Sequence, residues 1–451
     1  MTTLAFPGEL WDEARAPLEL EVETAGIILA RVGDAGERRT LLARRILWVP
    51  EDAYLRRERL ALEIASHGYV PALKQAAEDG GVAIFFHTHP GGDPNPSEYD
   101  DVVEERLREP FQIRTGQPLY ASLILGGSPE RPRFSGRMWD VRSERQLERI
   151  RIAGSRVQIL TPAEVEVSDD LFDRQIRAFG REGQRVLKSL HVGIVGAGGT
   201  GSAVFEQVVR LGVGEVTIID DDLLTKTNLT RIHESAMHQL GESKVAVADC
   251  AAERIGLGTT VTAVPARITD LAAARALTDC DVVFGCTDDN RGRAILSRLA
   301  YWYLLPVFDT AFLVDVEGGL VRGLFARVTT VSPGTACLFC RNRIDAQQLA
   351  AEALPDAERA QLAAEGYVPG LGQPDPAVGA YTTLTATLAV AELLDRLFAF
   401  SETEPPSELL ARVHDRAIST TKVAPRLEHY CGDRSYWGRG DTEPFLEQLW
   451  G

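Results

Sequence analysis

No run in this chain is apolar and long enough to cross a membrane, and nothing reads as a secretory signal, so the cytoplasm is the expected compartment. Cationic excess is missing as well: 48 Lys and Arg stand against 65 Asp and Glu, a formal net charge of -17. Phosphate contacts need clustered Lys and Arg, so charge argues against a nucleic-acid partner, and an acidic protein suits a neutral or basic one. The six cysteines lack the spacing of a disulfide framework, which points to a reducing compartment. There is no internal repeat and no low-complexity tract. What is present is ordinary for a globular protein, 45% hydrophobic and 25% charged over 451 residues, enough for two or three domains that each bury a core.

The most specific feature is His87-Thr88-His89-Pro90, followed by Ser97 and Asp100 in the order H-x-H-P-x6-S-x2-D. The preceding apolar residues 81–86 read as a buried strand, and side chains two apart on a strand share a face. Two imidazoles on one face, with a carboxylate returned by the turn over residues 91–96, supply three metal ligands and leave a fourth position open for water. That is the pattern of catalytic rather than structural zinc, which lowers the pKa of its water to about 7. The alternative is a pair of strand histidines that hydrogen-bond within a turn.

These residues resemble the JAMM (MPN-plus) metallopeptidases, whose signature joins this spacing to a glutamate on an early strand. The resemblance implies zinc on His87, His89 and Asp100, Glu23 as the base that activates water, and Ser97 as the group that stabilises the oxyanion. Glu19, Glu21 and Glu23 alternate along one strand face, and Gly26 just after favours Glu23. Family members hydrolyse amide bonds, typically an isopeptide or the bond after the C-terminal glycines of a ubiquitin-like protein.

Along the chain, strands are expected at residues 41–49 and 121–125, and helices at 54–70 and 71–78. A charged, aromatic-poor stretch from Ser143 to Asp170, with turn and cap signals at Thr161-Pro162 and Val167-Ser168-Asp169-Asp170, reads as a connector. The expected division is a lead at 1–15, a first domain at 16–145, a linker at 146–170, a second domain at 171–400 and an extension at 401–451. The final residues, Ser407 to Gly451, which contain Trp437-Gly438-Arg439-Gly440, read as a short helical or capping tail, with Trp450 either a partner anchor or packed on its own domain.

The second domain carries the strand His191 to Val195 running into Gly196, Gly198, Gly199 and Gly201, a G-x-G-x-x-G that lets backbone approach phosphate at a helix N-terminus. The next strand, residues 215–219, ends in Asp220, where an acid can hold a ribose hydroxyl. So far any nicotinamide or flavin enzyme would fit. The further set of Asp222, Asn228, Arg231, Lys244, Asp288 and Arg293 goes beyond what hydride transfer needs, and suits a site that stabilises charge on a triphosphate.

That ordered set resembles the ThiF, MoeB and HesA superfamily of adenylating enzymes, which includes the ubiquitin-activating enzymes, over roughly residues 171 to 400. The resemblance implies ATP and magnesium as cofactors. Asp220 would hold ribose, Asn228, Arg231 and Lys244 the phosphates, and Asp288, rather than Asp289, magnesium. Arg174, in an early Arg-Gln pair, would reach into the neighbouring subunit's site, which makes a homodimer the expected assembly.

Two departures qualify it. Cys337-Leu338-Phe339-Cys340 matches the first half of the family's structural zinc site, but the second C-x-x-C is replaced by Glu428-His429-Tyr430-Cys431. Cys337, Cys340, Cys431 and His429 could still form a second zinc site, or the thiols could pack as small hydrophobes, which Glu428 favours. The region 341–379, through Tyr367-Val368-Pro369-Gly370 and Pro374-Asp375-Pro376, contains no cysteine for a thioester, and Cys250, Cys280 and Cys286 read as core thiols.

Together the resemblances imply an α/β chain: a JAB/MPN domain of the cytidine-deaminase-like α-β-α type, then a Rossmann-like adenylating domain. The expected function is bifunctional, in a bacterial ubiquitin-like pathway: zinc-dependent processing or removal of a ubiquitin-like protein with C-terminal glycines, and ATP-dependent adenylation of its terminus. A conjugating-enzyme-like protein would be a further partner. Alternatives are sulfur-carrier activation toward a thiocarboxylate, adenylation of a short peptide, and a binding scaffold with one dead site.

Overall fold

Apolar runs without alternation, such as Ile27-Ile28-Leu29 and Ile84-Phe85-Phe86, are stable as strands only when both faces of their sheet are covered. The computed structural model describes residues 1–35, 38–59, 61–140, 143–162, 165–365, 376–448 and 450. It divides the chain into two units: Met1–Glu164 with Trp302–Leu304 and Trp437–Thr442, and Val165–Tyr301 with Leu305–Tyr436 and Glu443–Gly451.

The first unit contains strands β1 (Thr2–Pro7), β2 (Ala25–Ala35), β3 (Arg38–Trp48), β4 (Tyr54–Arg57), β5 (Leu62–Ile64), β6 (Val82–Pro90), β7 (Tyr120–Ser128), β8 (Arg131–Trp139), β9 (Glu144–Gln146), β10 (Arg149–Ala153) and β11 (Val157–Leu160). Its helices are α1 (Gly8–Arg15), α2 (Val70–Glu78) and α3 (Glu98–Thr115). Nine strands form one sheet in the order β11-β10-β1-β3-β2-β6-β7-β8-β9, and β4 and β5 pair separately. One face packs Phe6, Ile28, Ile84 and Phe86 with Trp11 of α1. The other packs Ile27, Leu29 and Phe85 with Leu73 of α2 and Phe111 of α3. Each such buried side chain contributes about 1.5–3 kcal/mol.

Three expectations are corrected. Residues 54–70 are not a helix but the β4–β5 hairpin followed by a 3-10 turn. Leu55 is 66% exposed, so a helix there would bury little, whereas extended backbone lets Tyr54 bond the first residue of β2 and Arg57 the segment just before it. Residues 1–15 and 146–170 are not a lead and a linker, because β1, β10 and β11 are hydrogen-bonded members of the sheet. Arg149 and Arg151 of β10 are 4% and 1% exposed, so charge there does not mark solvated chain. Glu19, Glu21 and Glu23 do not alternate on a strand, since Ala16–Glu19 is a 3-10 helix and β2 begins at Ala25.

The second unit contains β12 (His191–Val195), β13 (Glu215–Ile219), β14 (Thr260–Val264), β15 (Val282–Gly285), β16 (Val307–Glu317), β17 (Leu320–Val331), β18 (Glu408–Arg412) and β19 (Ala417–Thr421). The helices are α4 (Asp169–Ser189), α5 (Gly199–Arg210), α6 (Lys244–Ile255), α7 (Leu271–Ala276), α8 (Asn290–Trp302), α9 (Ala346–Glu352), α10 (Asp356–Glu365) and α11 (Gly379–Phe398). The sheet order is β14-β13-β12-β15-β16-β17-β18-β19. From β14 to β16 all pairings are parallel, and from β16 to β19 all are antiparallel. The chain leaves β12 to one side for β13 and returns to its other side for β15, so a crevice opens at the carboxyl ends of these strands. The 401–451 region is corrected too: β18 and β19 extend this sheet, and Trp450 donates from Nε1 to the Phe445 carbonyl at 2.7 Å, packing on its own domain. Tyr367, Val368, Pro369, Gly370, Pro374 and Asp375 of the cysteine-free stretch lie outside the described residues. Among the described residues no helix is long and apolar enough to cross a membrane.

Candidate active sites

Strand period places His87 and His89 on the face that also carries Phe85. Antiparallel pairing of β2 with β6 sets Ala25 opposite His87, and the same register carried back two residues brings Glu23 across from His89. The helix α3 supplies the remaining acid through its cap. Ser97 accepts from the Asp100 N–H at 3.2 Å while the Ser97 N–H donates to Asp100 Oδ2 at 2.7 Å, a capping box that fixes this carboxylate at the helix start.

The two Nε2 atoms face each other at 3.1 Å. Asp100 lies 3.4 Å from His87 and 3.8 Å from His89, and Glu23 Oε1 lies 3.8 Å from His89. His89 Nδ1 is 2.9 Å from the Asp93 carbonyl, which can only accept, so the proton sits on Nδ1 and the Nε2 lone pair faces inward. Convergent nitrogens with an adjacent carboxylate fit a zinc-type donor set. Burial pushes Asp100 up, but hydrogen bonds from His87 and Ser97 outweigh it and hold the carboxyl below its usual range. Burial pushes Glu23 up to about 7, partly offset by His87. The Ser97 hydroxyl donates to Asp100 Oδ2 at 2.7 Å, so the structure places Ser97 as the group that orients Asp100.

In the second unit a cavity of about 720 Å³ opens where β12, β13 and β15 end, and Gly196, Gly198 and Gly199 with Asp220, Asp222, Arg231, Lys244 and Asp288 line it. The glycine turn is required sterically: Gly196 has φ +92°, and a Cβ on Gly201 would stand 1.7 Å from the Gly196 carbonyl oxygen. That close approach aims the N-terminus of α5 into the cavity, an arrangement suited to phosphate. Asp220 accepts from Ala197 N–H at 2.7 Å and Asp222 N–H at 2.9 Å. Lys244 Nζ lies 2.6 Å from Asp222 and 3.4 Å from Asp220.

The two adjacent acids after β15 have different tasks. Asp289 accepts from Gly292 N–H at 2.5 Å and from the Thr287 hydroxyl, capping α8, while Asp288 is exposed at the cavity. Asn228 does not line the cavity: its Oδ1 accepts from Thr225 N–H and Oγ1 at 3.1 and 3.0 Å, closing the turn that delivers Arg231. Arg174 is exposed on α4 and does not line its own chain's cavity. Sequence reasoning missed Arg327 and Asp309. Asp309, fully buried, is 3.3 Å from Arg293 and 2.5 Å from Arg327, both of which line the cavity. A lone acid closing the apolar run Val307-Phe308 was the available signal.

The structure brings Cys337, Cys340, Cys431 and His429 together, with His429 Nδ1 at 3.3, 3.6 and 3.5 Å from the three sulfurs in that order. Glu428 does not decide the matter, because the next residue supplies the donor. A hydrogen bond from Cys431 pulls the Cys337 thiol below its usual range. Of the other thiols, Cys280 is buried, burial pushes Cys286 up to about 12, and Cys250 is exposed on α6, contrary to its reading as a core thiol.

Residues 172–429 match the ThiF family, and residues 9–140 match the prokaryotic homologs of the JAB domain. The molybdopterin-synthase adenylyltransferase of Salmonella typhimurium is 33% identical over 177 residues, 38% of this chain and 68% of that protein. The sulfur carrier protein adenylyltransferase of Thermus thermophilus is 32% identical over 149 residues, 32% of this chain and 55% of that protein. Among solved structures, E. coli MccB with MccA-N7isoASN is similar at 17% identity and TM-score 0.48, covering 61% of this chain and 78% of that one.

Proposed function

The chain belongs to the ThiF family, and from that premise we propose that its second unit is an ATP-dependent adenylyltransferase acting on the C-terminal glycine carboxylate of a small carrier protein of the sulfur-carrier type. The observation that carries this reading is the cavity where the α5 N-terminus, Arg231 and Lys244 converge with the exposed carboxylate of Asp288. A carboxylate oxygen of the carrier attacks the α-phosphorus of ATP; an acyl–phosphate bond forms, the α–β anhydride breaks, and pyrophosphate leaves with the electron pair. Gly198, Gly199, Arg231 and Lys244 would bind phosphate, and Asp220 the ribose. Asp288 would hold magnesium, which supplies charge neutralisation on the phosphates. Arg174 would act in a partner subunit's cavity, making a homodimer the working assembly.

Residues 341–379 contain no cysteine, which favours handing the adenylate to an external sulfur donor over a thioester on this chain. The names of the adenylyltransferase relatives support the same choice over ubiquitin-like conjugation.

The first unit is read as a hydrolase that cuts beside the glycines of the same carrier or of its conjugates. His87, His89 and Asp100 would hold zinc, which when bound acidifies water and polarises a carbonyl. Glu23 would accept a proton from an attacking water and pass it to the leaving amine, a task suited to a carboxyl near neutrality. Ser97 would hold Asp100 and lie close enough to serve the oxyanion. Cys337, Cys340, His429 and Cys431 would hold a second, structural zinc.

The test is exchange of labelled pyrophosphate into ATP with a glycine-ended carrier present. Exchange that requires magnesium and the carrier's free carboxylate supports the reading; exchange with neither, or none with any carrier, refutes it.

A further inference from the structure

Glu23 is not anchored by regular strand pairing, since β2 begins two residues later. Its peptide groups are instead tied to the β4–β5 hairpin. The Glu23 N–H donates to the Glu58 carbonyl at 3.0 Å, and the Glu23 carbonyl accepts from Arg57 Nε at 3.0 Å. The same guanidinium donates to Thr24 Oγ1 at 2.8 Å. One residue on, Ala25 N–H donates to the Tyr54 hydroxyl at 3.0 Å. Thr24 is then stitched to the ligand strand, donating to Thr88 Oγ1 at 3.1 Å and accepting from Thr88 N–H at 3.0 Å.

Arg57 is itself immobilised. Its third nitrogen reaches Glu51 at 2.6 Å, and its guanidinium lies 4.6 Å from the centre of the Tyr54 ring. A planar fork with five donors can hold Glu51, Glu23 and Thr24 at once, which a lysine cannot. Among the described residues Arg57 makes no hydrogen bond or ion pair to His87, His89 or Asp100, so it acts on the site through the Glu23 backbone and Thr24.

We propose that Arg57 is a positioning residue for Glu23, and that the β4–β5 hairpin is the brace that holds the base over the histidine pair. This rests on the hydrolytic reading of the first unit, but its physical core is testable without turnover. A misplacement of about 1 Å at a reacting group costs on the order of a hundredfold, so the loss should fall on kcat, with KM unchanged.

The experiment compares wild type, Arg57→Ala, Arg57→Lys and Tyr54→Phe in the full chain, by hydrogen exchange resolved at residues 22–25, by zinc content, and by hydrolysis of a glycine-linked carrier fusion. In Arg57→Ala the Glu23 and Thr24 amides should exchange about tenfold faster, the size of one lost hydrogen bond. Zinc content should stay at the wild-type level, and kcat should fall about a hundredfold. Arg57→Lys should be intermediate in both readouts, and Tyr54→Phe milder. If Arg57→Ala does not fold, Arg57→Lys decides: wild-type exchange and wild-type kcat together overturn the proposal. Loss of zinc in step with kcat also overturns it, because Arg57 would then support the metal cradle rather than the base. A wild type that cleaves nothing would sink the hydrolytic reading, while unchanged amide exchange in the variants would sink the brace.

Discussion

The cluster of the first unit and the cavity of the second both sit at strand ends, yet their charges are arranged in opposite ways. Around His87 and His89 three of the four inward-facing groups are oriented from behind by a neutral or cationic partner: the Asp93 carbonyl holds His89, Ser97 holds Asp100, and Arg57 holds the Glu23 peptide, while the buried His87 Nδ1 has no hydrogen-bond partner among the described residues. In the cavity three cations are held by protein carboxylates, Lys244 by Asp222, and Arg293 with Arg327 by Asp309, while Arg231 donates to the Thr227 carbonyl. In the first site the convergent side chains are held mostly by the protein's own neutral groups. In the second, an entering anion would compete with Asp222 and Asp309 for Lys244, Arg293 and Arg327. Preorganisation is thus local in one unit and ligand-dependent in the other.

The largest effect expected from this contrast is at Glu23. Glu23→Gln keeps the shape but removes the proton acceptor, and should lower hydrolytic kcat by about 10²–10⁴-fold. Zinc content and pyrophosphate exchange should not change, and a variant that hydrolyses as fast as wild type would remove Glu23 as the base.

Next comes the pair of acids after β15. Asp288→Ala should lower pyrophosphate exchange by roughly a hundredfold, as for removal of one preorganised electrostatic group. Asp289→Ala should instead act on stability, costing about 1 kcal/mol as the α8 cap is lost, with a smaller effect on exchange. Thermal unfolding and exchange assays on both variants separate the two roles, and reversed outcomes would move the magnesium ligand to Asp289.

Legibility in the sequence followed the range of the contacts. His87, His89, Ser97 and Asp100 were readable because strand period and a capping box are local rules, and the glycine turn with Asp220 for the same reason. Glu23 depended on a register between strands some sixty residues apart, which no local pattern encodes. The hairpin at residues 54–64 was hidden because Tyr54 and Arg57 are used as tethers, not as one face of a helix. Strand β10 was hidden by Arg149 and Arg151, two cations buried in a position where charge ordinarily signals solvent. Asp309 needed the fold itself, since its partners Arg293 and Arg327 lie on other elements.

The proposed chemistry of the second unit is the joining of a carrier's terminal carboxylate to AMP. The most direct measurement is the mass of a glycine-ended carrier after incubation with the full chain, ATP and magnesium. The carrier should gain one adenylate as pyrophosphate is released, in wild type and Glu23→Gln but not in Asp288→Ala. A carrier of unchanged mass with the wild-type protein, together with tight binding of NADH in place of ATP, would contradict it.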